Sequence, residues 1–210
     1  DWLPAIARDP AYNKNLTLIG KPFSVEPMPE MTWRPLSWRP SPVILAHPSD
    51  DTGCGQYRVI KPLTAMMEEG IGDGLISFRA LVPAELERLQ PDTIIFQRPL
   101  ARDFLDFMKY SKTYSNAFKV YEIDDLITNI PLKNYFRSLH PKDTVNLLRE
   151  GIAQVDRLIV STPGLAEAYS GWHKDIQILE LKLPPVWWGN LKVTSSEHKK
   201  PRVGWAGGSS

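Results

Sequence analysis

From Val43 onward, short apolar runs alternate with helical stretches. Val43-Ile44-Leu45-Ala46, Leu75–Phe78, Thr93-Ile94-Ile95-Phe96, Phe118–Ile123, Arg157-Leu158-Ile159-Val160 and Ile176-Gln177-Ile178-Leu179 read as strands. Helical segments fall between them at Tyr57–Glu69, Ala84–Leu89, Phe104–Tyr110, about 143–154 and about 163–171. Val- and Ile-rich strands separated by helices of about ten residues imply βαβ units and a parallel sheet. The nearly continuous apolarity within each strand fits burial on both faces. Pro83 and Pro163 stand where first helical turns are expected, with Ser161 or Thr162 as cap beside the latter. Pro62, inside the first helix, predicts a kink or a late start there.

The chain before this alternation is different. Residues 1–42 carry Pro4, Pro10, Pro22, Pro27, Pro29, Pro35, Pro40 and Pro42, which forbid long helices and central strands. Trp2, Tyr12, Phe23, Trp33 and Trp38 are many large aromatics for a free tether, so an extended arm packed on the following domain is expected. The domain itself is assigned to 43–180. Residues 181–200, with Pro184-Pro185, Gly189-Asn190 and Lys199-Lys200-Pro201, read as an interdomain linker. Arg202-Val203-Gly204-Trp205-Ala206 then reads as a strand running into the loop Gly207-Gly208-Ser209-Ser210. A strand entering a Gly-rich loop normally precedes a helix, so 201–210 is expected to open a truncated second domain.

Composition narrows the function classes. The chain has 210 residues, 42% hydrophobic and 23% charged, an ordinary balance for a packed domain. A formal net charge of +1 gives no reason to expect a nucleic-acid partner. Cys54 is the single cysteine, which excludes an internal disulfide framework and a cysteine-based zinc site. A reducing, cytoplasmic setting is therefore expected. No apolar run approaches the roughly 18 residues of a membrane span, leaving peripheral contact as the membrane option. Asp1-Trp2-Leu3-Pro4 has no signal-peptide character, and without an initiator methionine it suggests a piece of a longer protein.

Candidate chemistry gathers where the strands end, the edge at which open parallel sheets bind ligands. After the first strand, Gly53-Cys54-Gly55 precedes a helix. Two glycines and a helix N-terminus would let backbone amides approach an anion, and Arg58 would add a fork of donors. The alternative is a tight turn with a surface arginine. The fourth strand ends in Glu122-Ile123-Asp124-Asp125, an acidic edge suited to general-base work or to sugar hydroxyls, with oxygen-ligand metal binding as another option. The alternative for either aspartate alone is a cap on the next segment. Gln97-Arg98 ends the third strand, where Arg98 would face an anionic substrate or join a surface ion pair. His47 ends the first strand and is expected to line the cleft, whereas His140, His173 and His198 read as surface residues without metal-ligand spacing. The Cys54 thiol, at a helix N-terminus, is expected to have a lowered pKa; the simpler reading is a small residue that fits the turn.

Taken in order, these segments resemble bacterial GT-B glycosyltransferases acting on surface polysaccharide or O-antigen chains, often fused to tetratricopeptide repeats. The resemblance rests on Gly53–Arg58, Val120–Asp125, Val155–Leu165, Arg202–Ser210 and the lead-in Asp9–Leu16. It implies two Rossmann-like, doubly wound domains facing across a cleft, with metal-independent catalysis and no cofactor beyond a nucleotide-sugar donor. This chain would supply the acceptor-side domain and would be inactive alone. By that likeness Gly53 and Gly55 approach the donor diphosphate or transferred sugar. The Asp124–Asp125 edge, with Glu122, meets acceptor or sugar hydroxyls, and Gly207, Gly208 and Ser209 begin the donor-phosphate loop. The partners implied are a nucleotide sugar, a glycan or other acceptor, and the missing carboxyl-terminal domain. Leu181-Lys182-Leu183-Pro184 departs from the family, which usually has an asparagine at this hinge. The alternatives are a nucleotide-sugar epimerase of the same shape and a non-catalytic, receiver-like or sugar-binding module. In the last, Asp50, Asp51 and Asp124 would bind Mg²⁺.

Overall fold

The computed structural model describes residues 2–28, 41–131, 133–190 and 192. The expected strand at 202–206 and the residues Gly207, Gly208 and Ser209 lie outside that set, as do Trp33 and Trp38.

Six strands, β1 (Val43–His47), β2 (Asp73–Ile76), β3 (Thr93–Gln97), β4 (Phe118–Ile123), β5 (Arg157–Val160) and β6 (Ile176–Ile178), form one parallel sheet of order β2-β1-β3-β4-β5-β6. From β1 the chain moves one strand outward to β2, then crosses back and runs from β3 to β6 in the other direction. The switch point therefore lies between β1 and β3. Their carboxyl ends diverge there into a crevice that suits a ligand. All five β1 residues are buried, as the unbroken Val-Ile-Leu-Ala-His run requires of a central strand. The alternation of its side chains divides the core. Val43 and Leu45 join Leu86, Phe107 and Leu148 on one face, whereas Ile44 and Ala46 meet Val59 and Leu63 on the other. This is the expected α/β, Rossmann-like doubly wound fold.

The helices follow the predicted spacing, with one instructive difference. After β1 the chain turns directly into α2 (Gly53–Gly55), a π-helical turn (Gln56–Ile60) and α3 (Lys61–Glu68). The helix thus starts early, and Pro62 sits inside it. Proline has no N–H to donate and crowds the carbonyl four residues back. The π turn, with Lys61 N donating to Gln56 O, widens the helix immediately before that position. The other helices are α4 (Pro83–Leu89), α5 (Arg102–Tyr114), α6 (Thr144–Ile152), α7 (Pro163–Ala168) and α8 (Pro185–Trp188). Thr162, not Ser161, caps α7, its hydroxyl accepting from Leu165 N at 3.2 Å.

Within the proline-rich amino-terminal zone, α1 (Leu3–Ala7) packs against α4. Arg88 of α4 holds the zone by donating to the carbonyls of Ala7 and Leu16. Trp2 and Phe23 are nonetheless exposed. At the other end, the first part of the expected linker carries α8 and folds back on α3 and the π turn. Trp188 Nε1 donates to the Tyr57 hydroxyl, and Lys61 lies over the Trp187 ring.

Candidate functional site

A cavity of about 910 Å³ opens at the carboxyl edge of the sheet, over the β1/β3 switch point. That volume is in the range of small-molecule sites. Four pieces of chain enclose it: the loop from β1 into α2, the β2–α4 connection at Phe78, the β3–α5 connection, and the long excursion between β4 and α6.

The first loop is built around Asp50. Its Oδ1 accepts from Thr52 N and Thr52 Oγ1, both at 2.9 Å, and from Gly55 N at 3.2 Å. Ser49 Oγ donates to Oδ2 at 2.9 Å. Burial opposes the charge, but these bonds from Thr52, Gly55 and Ser49 outweigh it and hold the carboxyl below its usual range. The chain's own carboxylate thus takes amides that the sequence reading offered to a phosphate. Gly55 has a structural reason as well. A Cβ there would lie 1.7 Å from the carbonyl oxygen of Asp50, whereas one on Gly53 would meet nothing within 4 Å. The expectation that Gly55 keeps space open for an anion is corrected: it keeps space for the Asp50 backbone.

Gln97 closes the switch point. This buried amide accepts from Ser49 N at 2.9 Å through Oε1 and donates to Cys54 O at 3.2 Å through Nε2. Sequence reasoning noted its place at the end of β3 but gave it no role; a polar residue ending an apolar strand was the available signal. Its neighbour Arg98 has φ +36°, a left-handed backbone that costs a non-glycine residue of order 1–3 kcal/mol and persists where its surroundings impose it. Here Arg98 N donates to Glu122 O at 2.8 Å, and the guanidinium meets three carboxylates. Nη1 donates to Asp125 Oδ2 at 2.7 Å and lies 3.4 Å from Asp124 Oδ1, while Nη2 is 3.5 Å from Asp50 Oδ2. Arg98 therefore joins an ion-pair cluster, and three carboxylates around one guanidinium leave the cluster negative.

The acidic edge divides into three environments. Asp125 lines the cavity with its side chain 57% exposed. Asp124 is mostly covered and does not border the cavity. The backbone of both is pinned, since Ser161 Oγ donates to Asp124 O and the Tyr169 hydroxyl to Asp125 O, each at 3.2 Å. Glu122 is buried and pairs with Arg58, whose Nε donates to Oε1 at 2.6 Å. Arg58 Nη1 donates to Leu179 O, also at 2.6 Å, just beyond β6. Desolvation pushes the Glu122 carboxyl up to about 7, against the pull of Arg58 and with the charge of Asp124 adding to the rise. The 2.6 Å contact favours the ionised pair and the burial favours the protonated acid; the upward direction stands because both groups are almost fully removed from water. Neither Arg58 nor Glu122 borders the cavity, so the expectation that they contact donor or sugar is corrected to a buried tie between β4, the π turn and the exit from β6.

His47 does line the cavity, within the ring cluster of Phe96, Phe104 and Phe107. Its Nδ1 lies 2.8 Å from Ser77 O. A carbonyl only accepts, so Nδ1 carries the proton. Burial lowers its pKa to about 4, so the ring is neutral at pH 7 and Nε2 is a bare acceptor with no donor partner. His140 also borders the cavity, and His173 is partly buried between the carbonyls of Val155 and Asp175, so neither is the simple surface residue expected. Cys54 corrects another expectation. Burial, with the hydrogen bond and charge of Asp124, pushes its thiol up to about 12, leaving no reactive thiolate at neutral pH.

Among the described residues, the ligand atoms of Cys54, Asp124 and Asp125 lie within 4.8 Å of one another, the spacing of a possible metal site. The guanidinium of Arg98 stands against both carboxylates and supplies the positive charge there. Among the described residues no helix is long and apolar enough to cross a membrane. Comparison with protein-family models, with curated proteins and with solved structures finds no match to this chain.

Proposed function

We propose that this chain is the acceptor-side domain of a metal-independent, GT-B-type glycosyltransferase that moves a sugar from a nucleotide-sugar donor to a glycan or related hydroxylated acceptor. One observation carries the reading. A cavity of about 910 Å³ lies at the switch point of a doubly wound sheet, and its rim holds a fixed, solvent-accessible carboxylate, Asp125. In this reading an acceptor hydroxyl attacks the anomeric carbon as the bond to the nucleoside diphosphate breaks, and Asp125 takes the hydroxyl proton. Asp124 and Arg98 position that carboxylate. The donor diphosphate belongs to the opposing domain, because the amides of Thr52 and Gly55 are already occupied by Asp50. The Mg²⁺-binding receiver-like alternative is weaker, since Arg98 already pairs with Asp50 and Asp124.

The test is a transfer assay on the full-length protein with a panel of nucleotide sugars and neutral acceptors. Asp125→Asn is expected to lower kcat/KM at least tenfold, about 1.4 kcal/mol, without changing the thermal midpoint. Transfer at the wild-type rate by that variant would remove Asp125 from the chemistry. Nucleotide-sugar isomerisation without any acceptor would replace the transferase reading with an epimerase.

A further inference from the structure

The cavity sets an apolar wall beside a polar rim. Its apolar lining includes Phe78 and Leu126, which remain 53% and 41% exposed although both belong to the cavity wall. Apolar area left in water on a concave surface is stabilised by whatever covers it, by roughly 25 cal/mol per Å² removed from water. Ile127, Ile130 and Pro131 of the β4–α6 excursion continue the same wall. Against this stands a polar side that carries two carboxylates. Asp50 and Asp125 present carboxylates there.

The donors nearest these carboxylates are engaged internally. Arg98 is engaged by Asp125, Asp124 and Asp50, and the amides of Thr52 and Gly55 by Asp50. A phosphate placed here would meet a surplus of negative charge and would have to displace Asp50 from the helix start. A hydroxyl group meets the opposite situation, because it donates to these acceptors without bringing charge. An apolar body attached to such a head would cover Phe78 and Leu126.

We infer that the cavity binds an uncharged amphipathic glycoside, with hydroxyls of the sugar donating to Asp125 and Asp50 and an apolar aglycone lying against Leu126, Phe78 and Ile130. The inference rests on the proposed transferase reading only in calling this ligand the acceptor. It specifies what that reading leaves open, namely an acceptor that is neutral and linked to a lipid-like or aryl group rather than to a phosphate at the bound end.

The experiment titrates the 210-residue chain with octyl β-glucoside below its micelle concentration, with glucose, and with inorganic pyrophosphate, following backbone amide shifts by NMR. Octyl glucoside is expected to shift the amides of Cys54, Arg98, Asp125 and Leu126 saturably and at least tenfold more tightly than glucose. Pyrophosphate is expected to leave them unmoved. Leu126→Ser should reduce the preference for octyl glucoside over glucose at least threefold, and Asp125→Asn should weaken both sugars. Tighter binding of pyrophosphate than of octyl glucoside at these amides overturns the inference, as does failure of all three to bind. So does octyl glucoside binding indifferent to both substitutions. Binding as expected, together with no transfer in the full-length protein, would instead sink the transferase reading and leave the cavity's ligand class standing.

Discussion

Two arginine–carboxylate groups sit near the carboxyl edge of the same sheet, and they behave as different kinds of matter. Arg58 and Glu122 form a pair with side chains 3% and 4% exposed, off the cavity. Arg98 gathers Asp50, Asp124 and Asp125 at the cavity, where water reaches the cluster. Removing the two members of a buried pair from water costs several kcal/mol per ion, which their attraction offsets only while both are present. A partly wet cluster pays little for its charge and can exchange a partner for a ligand. The first arrangement ties the frame together and the second stays open to water, although sequence alone presents both as charged residues near strand ends.

The sharpest way to break this contrast is to remove one partner of the buried pair. Arg58→Met should destabilise the chain by about 3–5 kcal/mol in urea denaturation, because Glu122 is left buried alone, and Arg58→Met with Glu122→Leu should recover most of that. A loss under about 1 kcal/mol for the single variant would place the pair with the surface ones. Next in size is the turn that serves the wet cluster. Gly55→Ala should lower stability by about 1–3 kcal/mol, since a Cβ would overlap the Asp50 backbone, and thermal denaturation would read it directly. An unchanged midpoint would show that the loop relaxes easily and would reopen Gly55 as a ligand contact.

Acidity separates the two groups further. The Glu122 carboxyl is raised to about 7, so its contribution to stability is full below the ordinary carboxyl range and is lost as pH rises through about 7. His47 acts oppositely: lowered to about 4, it contributes stability above its ordinary pKa of 6.5 that is lost as pH falls toward 4. Denaturation profiles of Glu122→Gln should therefore lose the decline between about pH 5 and 7.5 while keeping the acid limb that His47 supplies. An unaltered neutral limb would mean that Glu122 stays ionised throughout. The smallest expected effect is that of Gly53→Ala, within about 0.5 kcal/mol of wild type, since its Cβ would meet open space. A large loss there would show that Gly53 rather than Gly55 carries the turn's constraint.

The frame was readable because strand and helix periodicities are local properties. Val43–Ala46 is apolar along its length and Phe118–Ile123 is apolar apart from Lys119 and Glu122, and each forms a parallel strand that is buried except at Phe118. Pro62 shows the limit even there: its position in a helix is legible, but the early start at Gly53 and the π turn ahead of it are not. The candidate site was legible only as a neighbourhood. Asp125 and Arg98 were placed at the right edge, yet nothing in their spacing says that they touch, 27 residues apart in sequence. Arg58 and Glu122, 64 residues apart, were assigned to the cleft on the same grounds and lie outside it. Charge and residue type give what a side chain can do, not how much water surrounds it.

What the sequence determined by itself is the order of strands and helices, the parallel sheet they require, and the edge at which polar residues collect. Each follows from periodicity, proline chemistry and the handedness of βαβ connections, which need no knowledge of distant contacts. Tertiary structure alone decided which acids face water and which face an arginine in the dark. It also decided that Asp50 fills the turn that seemed made for an anion, and that the β4–α6 excursion supplies an apolar wall. Those outcomes depend on desolvation and on distances between residues remote in the chain, and both are set only when the sheet closes its neighbours together.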